Sequence, residues 1–86
     1  MSRADKLLAG MRANPKDDWT INQMQTVARQ FEIDVAPPRR GSHYTLTHPD
    51  LPNFVLTIPV HRTIKGVYVK QFVSMMDDIM SVSETK

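Results

Sequence analysis

The pattern of apolar positions predicts two helices in the first third of the chain. The first is short, ends at the Asn-Pro pair of residues 14–15, and carries apolar side chains at helical spacing: Leu7, Leu8 and Met11. Residues 15–19 have the composition of a loop. Thr20 with Gln23 three residues later matches a capping box, which indicates the start of a second helix. That helix ends near residue 32 and carries one apolar stripe: Ile21, Met24, Val27, Ala28 and Phe31.

The middle of the chain predicts three short strands. Residues 33–36 form the first, which two prolines then interrupt. Residues 42–48 and 54–58 alternate between apolar and polar side chains, and the five-residue turn between them predicts an antiparallel hairpin. The apolar side of this hairpin consists of Tyr44, Leu46, Phe54, Leu56 and Ile58. His43 therefore points away from the core, from the other face of the sheet, where a ligand can reach it.

A last helix is predicted over residues 67–80. Its continuous apolar face consists of Val69, Phe72, Val73, Met76, Ile79 and Met80. Residues 81–86 are expected to form a flexible tail. The order α-α-β-β-β-α indicates an α+β fold in which the helices cover one face of a three-stranded antiparallel sheet.

Composition narrows the class of protein. The chain has 86 residues, of which 41% are hydrophobic and 23% charged, as is typical of a single folded domain. It contains no cysteine, which excludes disulfides, thiolate metal sites and a cysteine nucleophile. No apolar run is long enough for a membrane span, and the charged N-terminus is not followed by a signal-peptide core. A cytoplasmic protein without a membrane partner is expected.

Basic residues concentrate in the middle of the chain, although the net charge is only +2. Residues 35–70 hold a single acid, Asp50, and five basic residues: Arg39, Arg40, Arg62, Lys65 and Lys70. The rest of the chain holds six basic residues and eight acids. This distribution suits a polyanion such as RNA, and an ordinary solvated surface is the alternative explanation.

A short segment before the hairpin groups residue types that can cleave RNA: Arg39, Arg40, Gly41, Ser42 and His43. Guanidinium groups bind phosphate oxygens, glycine lets the backbone approach a ligand, and an imidazole transfers protons near neutral pH. RNA supplies its own nucleophile, the 2′-hydroxyl. The three histidines, His43, His48 and His61, lack the spacing of a metal-binding motif, so neither a metal nor another cofactor is expected.

Three motifs resemble, in order and spacing, the HicA family of bacterial toxins, which cleave messenger RNA. They are Gly-Ser-His at residues 41–43, Ile-Pro-Val-His at residues 58–61, and Lys-Gly at residues 65–66 before the last helix. The resemblance covers about 30 residues. It implies a fold similar to double-stranded-RNA-binding domains for residues 20–80, with residues 1–19 as a helical extension.

The resemblance also implies an activity and its partners. Members are metal-independent endoribonucleases of type II toxin–antitoxin systems, act in the bacterial cytoplasm and are inhibited by a HicB-type antitoxin. Their catalytic histidine corresponds to His43. RNA phosphates are expected to contact Arg39, Arg40, Gly41, Ser42, Arg62, Lys65 and Lys70.

The remaining candidates are less constrained by the sequence. The sequence offers two candidates for a second acid or base, His61 and Tyr44. His61 is expected to be a structural loop residue, and the alternation of side chains along the strand turns Tyr44 towards the core. His48, before a proline in the turn, is expected to be exposed and without a role. Trp19 is expected to cover the edge of the core rather than to stack on bases.

A non-catalytic RNA-binding or protein-interaction module on the same fold is the alternative function. The outward histidine beside a glycine and two arginines favours the enzyme. A binding module has no need of an imidazole at that place, and it would more often carry aromatic side chains on its open sheet face.

Overall fold

The computed structural model describes residues 2–85, including the side chains of residues 2–82. Its elements follow the order α1 (Arg3–Ala13), α2 (Ile21–Gln30), β1 (Asp34–Ala36), β2 (His43–Thr47), β3 (Leu56–Pro59) and α3 (Gly66–Thr85). The three strands form one antiparallel sheet in the order β1-β2-β3. The predicted α+β class and the α-α-β-β-β-α order are confirmed.

The third strand and the last helix differ from their predicted ranges. The third strand begins at Leu56, because the N–H of Phe54 donates to the carbonyl of Leu51 at 3.0 Å and so still belongs to the turn. Helix α3 continues to Thr85, past the end predicted at residue 80. Residues 81–85 contain neither glycine nor proline to terminate a helix. Of the predicted tail, only Lys86 lies outside the described residues.

Capping boxes fix the starts of α1 and α2. The Thr20 hydroxyl accepts from the N–H of Gln23 at 3.3 Å, and the Gln23 side chain accepts from the N–H of Thr20 at 2.9 Å, as predicted. Ser2 and Asp5 form the same reciprocal pair at α1, with distances of 3.2 and 3.3 Å. Each cap stabilises its helix by about 1 kcal/mol.

Helix α1 belongs to the hydrophobic core and closes it. It packs against both α2 and α3, while α2 packs on β1 and α3 packs on β3. Leu8 and Met11 of α1 lie in the same buried cluster as Met24 of α2 and Phe72 of α3. The segment expected as a helical extension, residues 1–19, thus contributes α1 to the same core as residues 20–80.

Trp19 ties the loop after α1 to this core. Its ring is half-buried against the core cluster, and its indole N–H donates to the carbonyl of Asn14 at 2.7 Å. A Cβ atom at Gly10 would lie 2.7 Å from the Cη2 atom of the indole, so the close approach of ring and helix requires glycine there. Trp19 covers the edge of the core, as the sequence predicts.

The register between β2 and β3 decides which side chains face the helices. Tyr44 pairs with Ile58 and Leu46 with Leu56, and these apolar residues face the core. The alternate pairs, His43 with Pro59 and Thr45 with Thr57, therefore lie on the other face of the sheet. The predicted outward position of His43 is confirmed, since its side chain is exposed.

His48 is buried, and the prediction that it is exposed and idle is wrong. Only 6% of its surface is exposed. Its Nδ1 atom accepts from the N–H of Asp50 at 3.0 Å, so Nε2 carries the proton and donates to the carbonyl of Phe31 at 2.8 Å. A sequence pattern of His-Pro at a turn does not reveal that the carbonyl at the end of α2 lies within reach.

An ion pair joins α1 to α3 on the surface. The Arg12 guanidinium donates to both carboxylate oxygens of Asp77, at 2.7 and 3.0 Å. The hydrogen bonds from Arg12 lower the pKa of Asp77, and those to Asp77 raise the pKa of Arg12. Both side chains are about half exposed, so solvent screens the pair and its contribution is small.

We predict that Asp77→Asn lowers the free energy of unfolding by up to about 1 kcal/mol at pH 7. Because Arg12 lowers the pKa of Asp77, the stabilisation is complete above about pH 4 and is lost as the pH falls through the lower pKa of the folded state. Urea denaturation at pH 7 and pH 2 measures this. The control is Asp78→Asn at the neighbouring exposed position. The account is contradicted if Asp78→Asn has an effect of equal size, or if the effect of Asp77→Asn is as large at pH 2 as at pH 7.

We predict that His48→Ala lowers the free energy of unfolding by about 1–3 kcal/mol, because it leaves the carbonyl of Phe31 without its donor. Thermal and urea denaturation measure the loss. The matched control is His61→Ala at an exposed position, with an expected change within about 0.5 kcal/mol. Equal effects of the two substitutions would show that the buried hydrogen bonds of His48 do not stabilise the fold.

Candidate functional site

The β2–β3 pairing brings two of the sequence motifs together at one end of the sheet. His43 is the first residue of β2 and lies opposite Pro59, the last residue of β3. The N–H of Val60 donates to the carbonyl of Ser42 at 2.8 Å, which extends the pairing by one step. Residues 41–43 and residues 59–61 therefore run side by side, although 15 residues (44–58) lie between them along the chain.

The turn before β2 presents backbone and cationic groups beside His43. Gly41 has a φ of +76°, a conformation that other residues adopt only at a cost, and it is exposed. Arg39 and Arg40 precede it and are exposed, and Ser42 is partly buried. Among the described side chains neither arginine takes part in an ion pair, so both charges are available to an anion.

A cavity of about 430 Å³ opens next to this turn. It is lined by Pro59, His61, Arg62, Thr63, Lys65 and Tyr68. Pro59 belongs both to the wall of this cavity and to the cross-strand pair with His43. The cavity and the outward face of the sheet at His43 therefore meet at Pro59.

The cavity is electropositive. None of its lining residues carries a carboxylate, and in the described part of the chain Arg62 and Lys65 form no ion pair. Helix α3 begins at Gly66, beside the cavity, and has no acidic residue in its first turn. The partial positive charge at the start of this helix therefore adds to that of the side chains.

Gly66 lets the first turn of α3 approach the loop that follows α1. A Cβ atom there would lie 3.3 Å from the carbonyl oxygen of Pro15 and 3.4 Å from the Cα of Lys16, both backbone atoms. The N-terminal segment thus holds the helix start that borders the cavity.

Two predicted candidates lie away from this cluster. Lys70 lines a different cavity, of about 640 Å³, formed with residues 13–17, and on α3 it is about 200° around the helix from Tyr68. Tyr44, one candidate for the second acid or base, packs against the core cluster. The other predicted residues lie closer together. His43 directly follows the turn residues Arg39–Ser42 and lies opposite Pro59 in the strand pair.

Sequence reasoning missed Tyr68 as a candidate. Its half-buried ring lines the cavity with His61 and Lys65. A signal was present, since Tyr68 is an aromatic residue just outside the apolar face of the last helix, directly after the Lys-Gly motif. The sequence does not show that this tyrosine belongs to the site, because only the fold places His61 beside the start of that helix.

No three His, Asp or Glu side chains of residues 2–82 converge in a way that could hold a metal ion. Within the same part of the chain, no helix combines the length and the apolarity needed to cross a bilayer.

Comparisons with protein-family models, with characterised proteins and with solved structures give no match for this chain.

Proposed function

We propose that this protein is a metal-independent endoribonuclease of the HicA type, the toxin of a type II toxin–antitoxin system that cleaves messenger RNA in the bacterial cytoplasm. One observation carries the proposal: His43 is exposed on the open sheet face, directly beside an electropositive cavity and a turn with two exposed arginines. A protein-interaction module has no need to gather an imidazole, a left-handed glycine and four cations at one end of a sheet.

The chemical step follows from the groups present. His43, in its neutral form, accepts the proton of the RNA 2′-hydroxyl as the general base. The 2′-oxygen then forms a bond to the adjacent phosphorus, and the bond from phosphorus to the 5′-oxygen breaks. The products are a 2′,3′-cyclic phosphate and a 5′-hydroxyl, and the proposed step requires no water, metal or cofactor as a reactant.

The leaving 5′-oxygen needs a proton, and we assign this role to His61 in its protonated form. His61 is exposed, lines the cavity and lies two residues beyond Pro59, the partner of His43. Tyr44 is a poorer candidate because it packs against the core.

The scissile phosphate gains negative charge as the 2′-oxygen attacks. Arg39 and Arg40 are exposed in the turn that ends at His43, and their guanidinium groups suit an anion, which the backbone can approach closely at Gly41. These groups stabilise the developing charge without a metal ion.

A HicB-type antitoxin is the proposed partner that keeps the enzyme inactive. This antitoxin would have to cover the surface that contains His43 and the turn with Arg39 and Arg40. A complex in which both remain fully exposed to solvent would contradict this assignment.

We predict that expression of the wild-type chain arrests bacterial growth, and that the purified protein cleaves RNA in excess EDTA. His43→Ala should lower the cleavage rate by about 100- to 10,000-fold, the range of a lost general base. Gln30→Ala, at an exposed position near the end of α2, is the control and should cleave at the wild-type rate.

Circular dichroism and thermal denaturation establish that each variant is folded. A folded His43→Ala variant with the wild-type rate would overturn the site assignment. A wild-type protein that neither arrests growth nor cleaves RNA would favour the non-catalytic module on the same fold.

A further inference from the structure

We propose that the cavity beside Pro59 is a nucleotide subsite, which takes one unpaired nucleotide of the RNA next to the bond that His43 cleaves. Its role in cleavage rests on the proposed function, while its ability to bind a nucleotide does not. A site of this kind selects single-stranded over double-stranded RNA, and it therefore defines the class of substrate that the protein would cleave.

The size and the walls of the cavity suit a nucleotide better than a bare anion. Its volume, about 430 Å³, lies within the usual range of small-ligand sites. Pro59 and the half-buried ring of Tyr68 supply flat apolar surface, on which a base can stack. The cavity with Lys70 is larger but lacks any aromatic residue in its lining.

The charged side chains of the cavity supply the phosphate contacts. Arg62 and Lys65 are exposed at its rim, and no described carboxylate neutralises them. An arginine can hold two phosphate oxygens at once, and a lysine adds a mobile point charge. An acidic peptide would also satisfy the two cations, but it would leave the ring of Tyr68 and the face of Pro59 without a matching group.

The position of the cavity decides the form of the RNA. Pro59 lies directly opposite His43 across the strand pair, so a nucleotide in the cavity and the bond at His43 belong to neighbouring positions of one RNA strand. A base inserted into a cavity is unstacked and cannot keep its pairing partner. RNA that is held in a duplex must therefore open before it can be cleaved here.

The test uses the full-length wild-type protein and three small probes: adenosine 5′-monophosphate, inorganic phosphate and adenosine. Binding is followed by NMR through the ring resonances of His61 and Tyr68. We expect the nucleotide to shift both rings and to bind at least tenfold more tightly than either inorganic phosphate or adenosine.

Matched variants separate the contributions. Arg62→Gln/Lys65→Gln should weaken nucleotide binding at least tenfold, whereas Arg3→Gln/Lys6→Gln, which removes the same charges from exposed positions of α1, should not change it. Tyr68→Leu should weaken nucleotide binding about tenfold through lost stacking and leave phosphate binding unchanged, and Tyr68→Phe should retain both.

Three results would overturn the subsite. They are unchanged His61 and Tyr68 resonances at saturating nucleotide, equal affinity for nucleotide and inorganic phosphate, and tighter binding of an oligoglutamate peptide through Arg62 and Lys65. The last result would identify the cavity as a docking site for an acidic protein segment.

Cleavage of a single-stranded RNA and of the same sequence in a duplex is measured on the same preparations. Nucleotide binding at the cavity without any RNA cleavage would refute the proposed function and leave the subsite intact. Cleavage by wild-type protein at equal rates on both forms of RNA, with no nucleotide bound at the cavity, would refute the subsite and leave the ribonuclease intact.

Discussion

The pairing of β2 with β3 is the constraint on which the candidate site depends. The side chains of a strand alternate between faces, so a slip of one residue would exchange the two sets. A slip of β2 would turn Leu46 to solvent and His43 into the core, and a slip of β3 would turn Leu56 and Ile58 to solvent. Burial of these apolar side chains therefore holds His43 on the outer face, opposite Pro59.

Three further contacts keep the ends of this hairpin in place. His48 links the turn between the two strands to the end of α2 through two hydrogen bonds. At the opposite end, the bond from Val60 to Ser42 holds residues 41–43 beside residues 59–61. The loop after α1 contacts Gly66 at the start of α3, which fixes the far wall of the cavity. The proposed reaction, in which two histidines act on one phosphodiester, requires such support around the site.

The features that can be predicted from the sequence are those that depend on periodicity and on local hydrogen bonds. The helices, the Thr20 cap and the outward direction of His43 follow from spacing alone, because each depends on residues within about four positions of one another. His48 and Tyr68 could not be assigned in that way. The burial of His48 depends on a carbonyl 17 residues earlier, and the cavity around Tyr68 forms only when the end of β3 meets the start of α3. The helical residues 81–85 show that the absence of a stop signal is itself informative.

In the proposed reaction the RNA supplies its own nucleophile, and the chemical ends of the products test this most directly. A defined single-stranded RNA is digested with the wild-type protein in excess EDTA, and the fragments are identified by mass spectrometry. A second substrate carries a 2′-deoxy sugar at the cleaved position. The account predicts a 2′,3′-cyclic phosphate with a 5′-hydroxyl, and no cleavage of the deoxy substrate. Fragments with a 3′-hydroxyl and a 5′-phosphate, or cleavage at the deoxy position, would show that water is the nucleophile and would contradict the role assigned to His43.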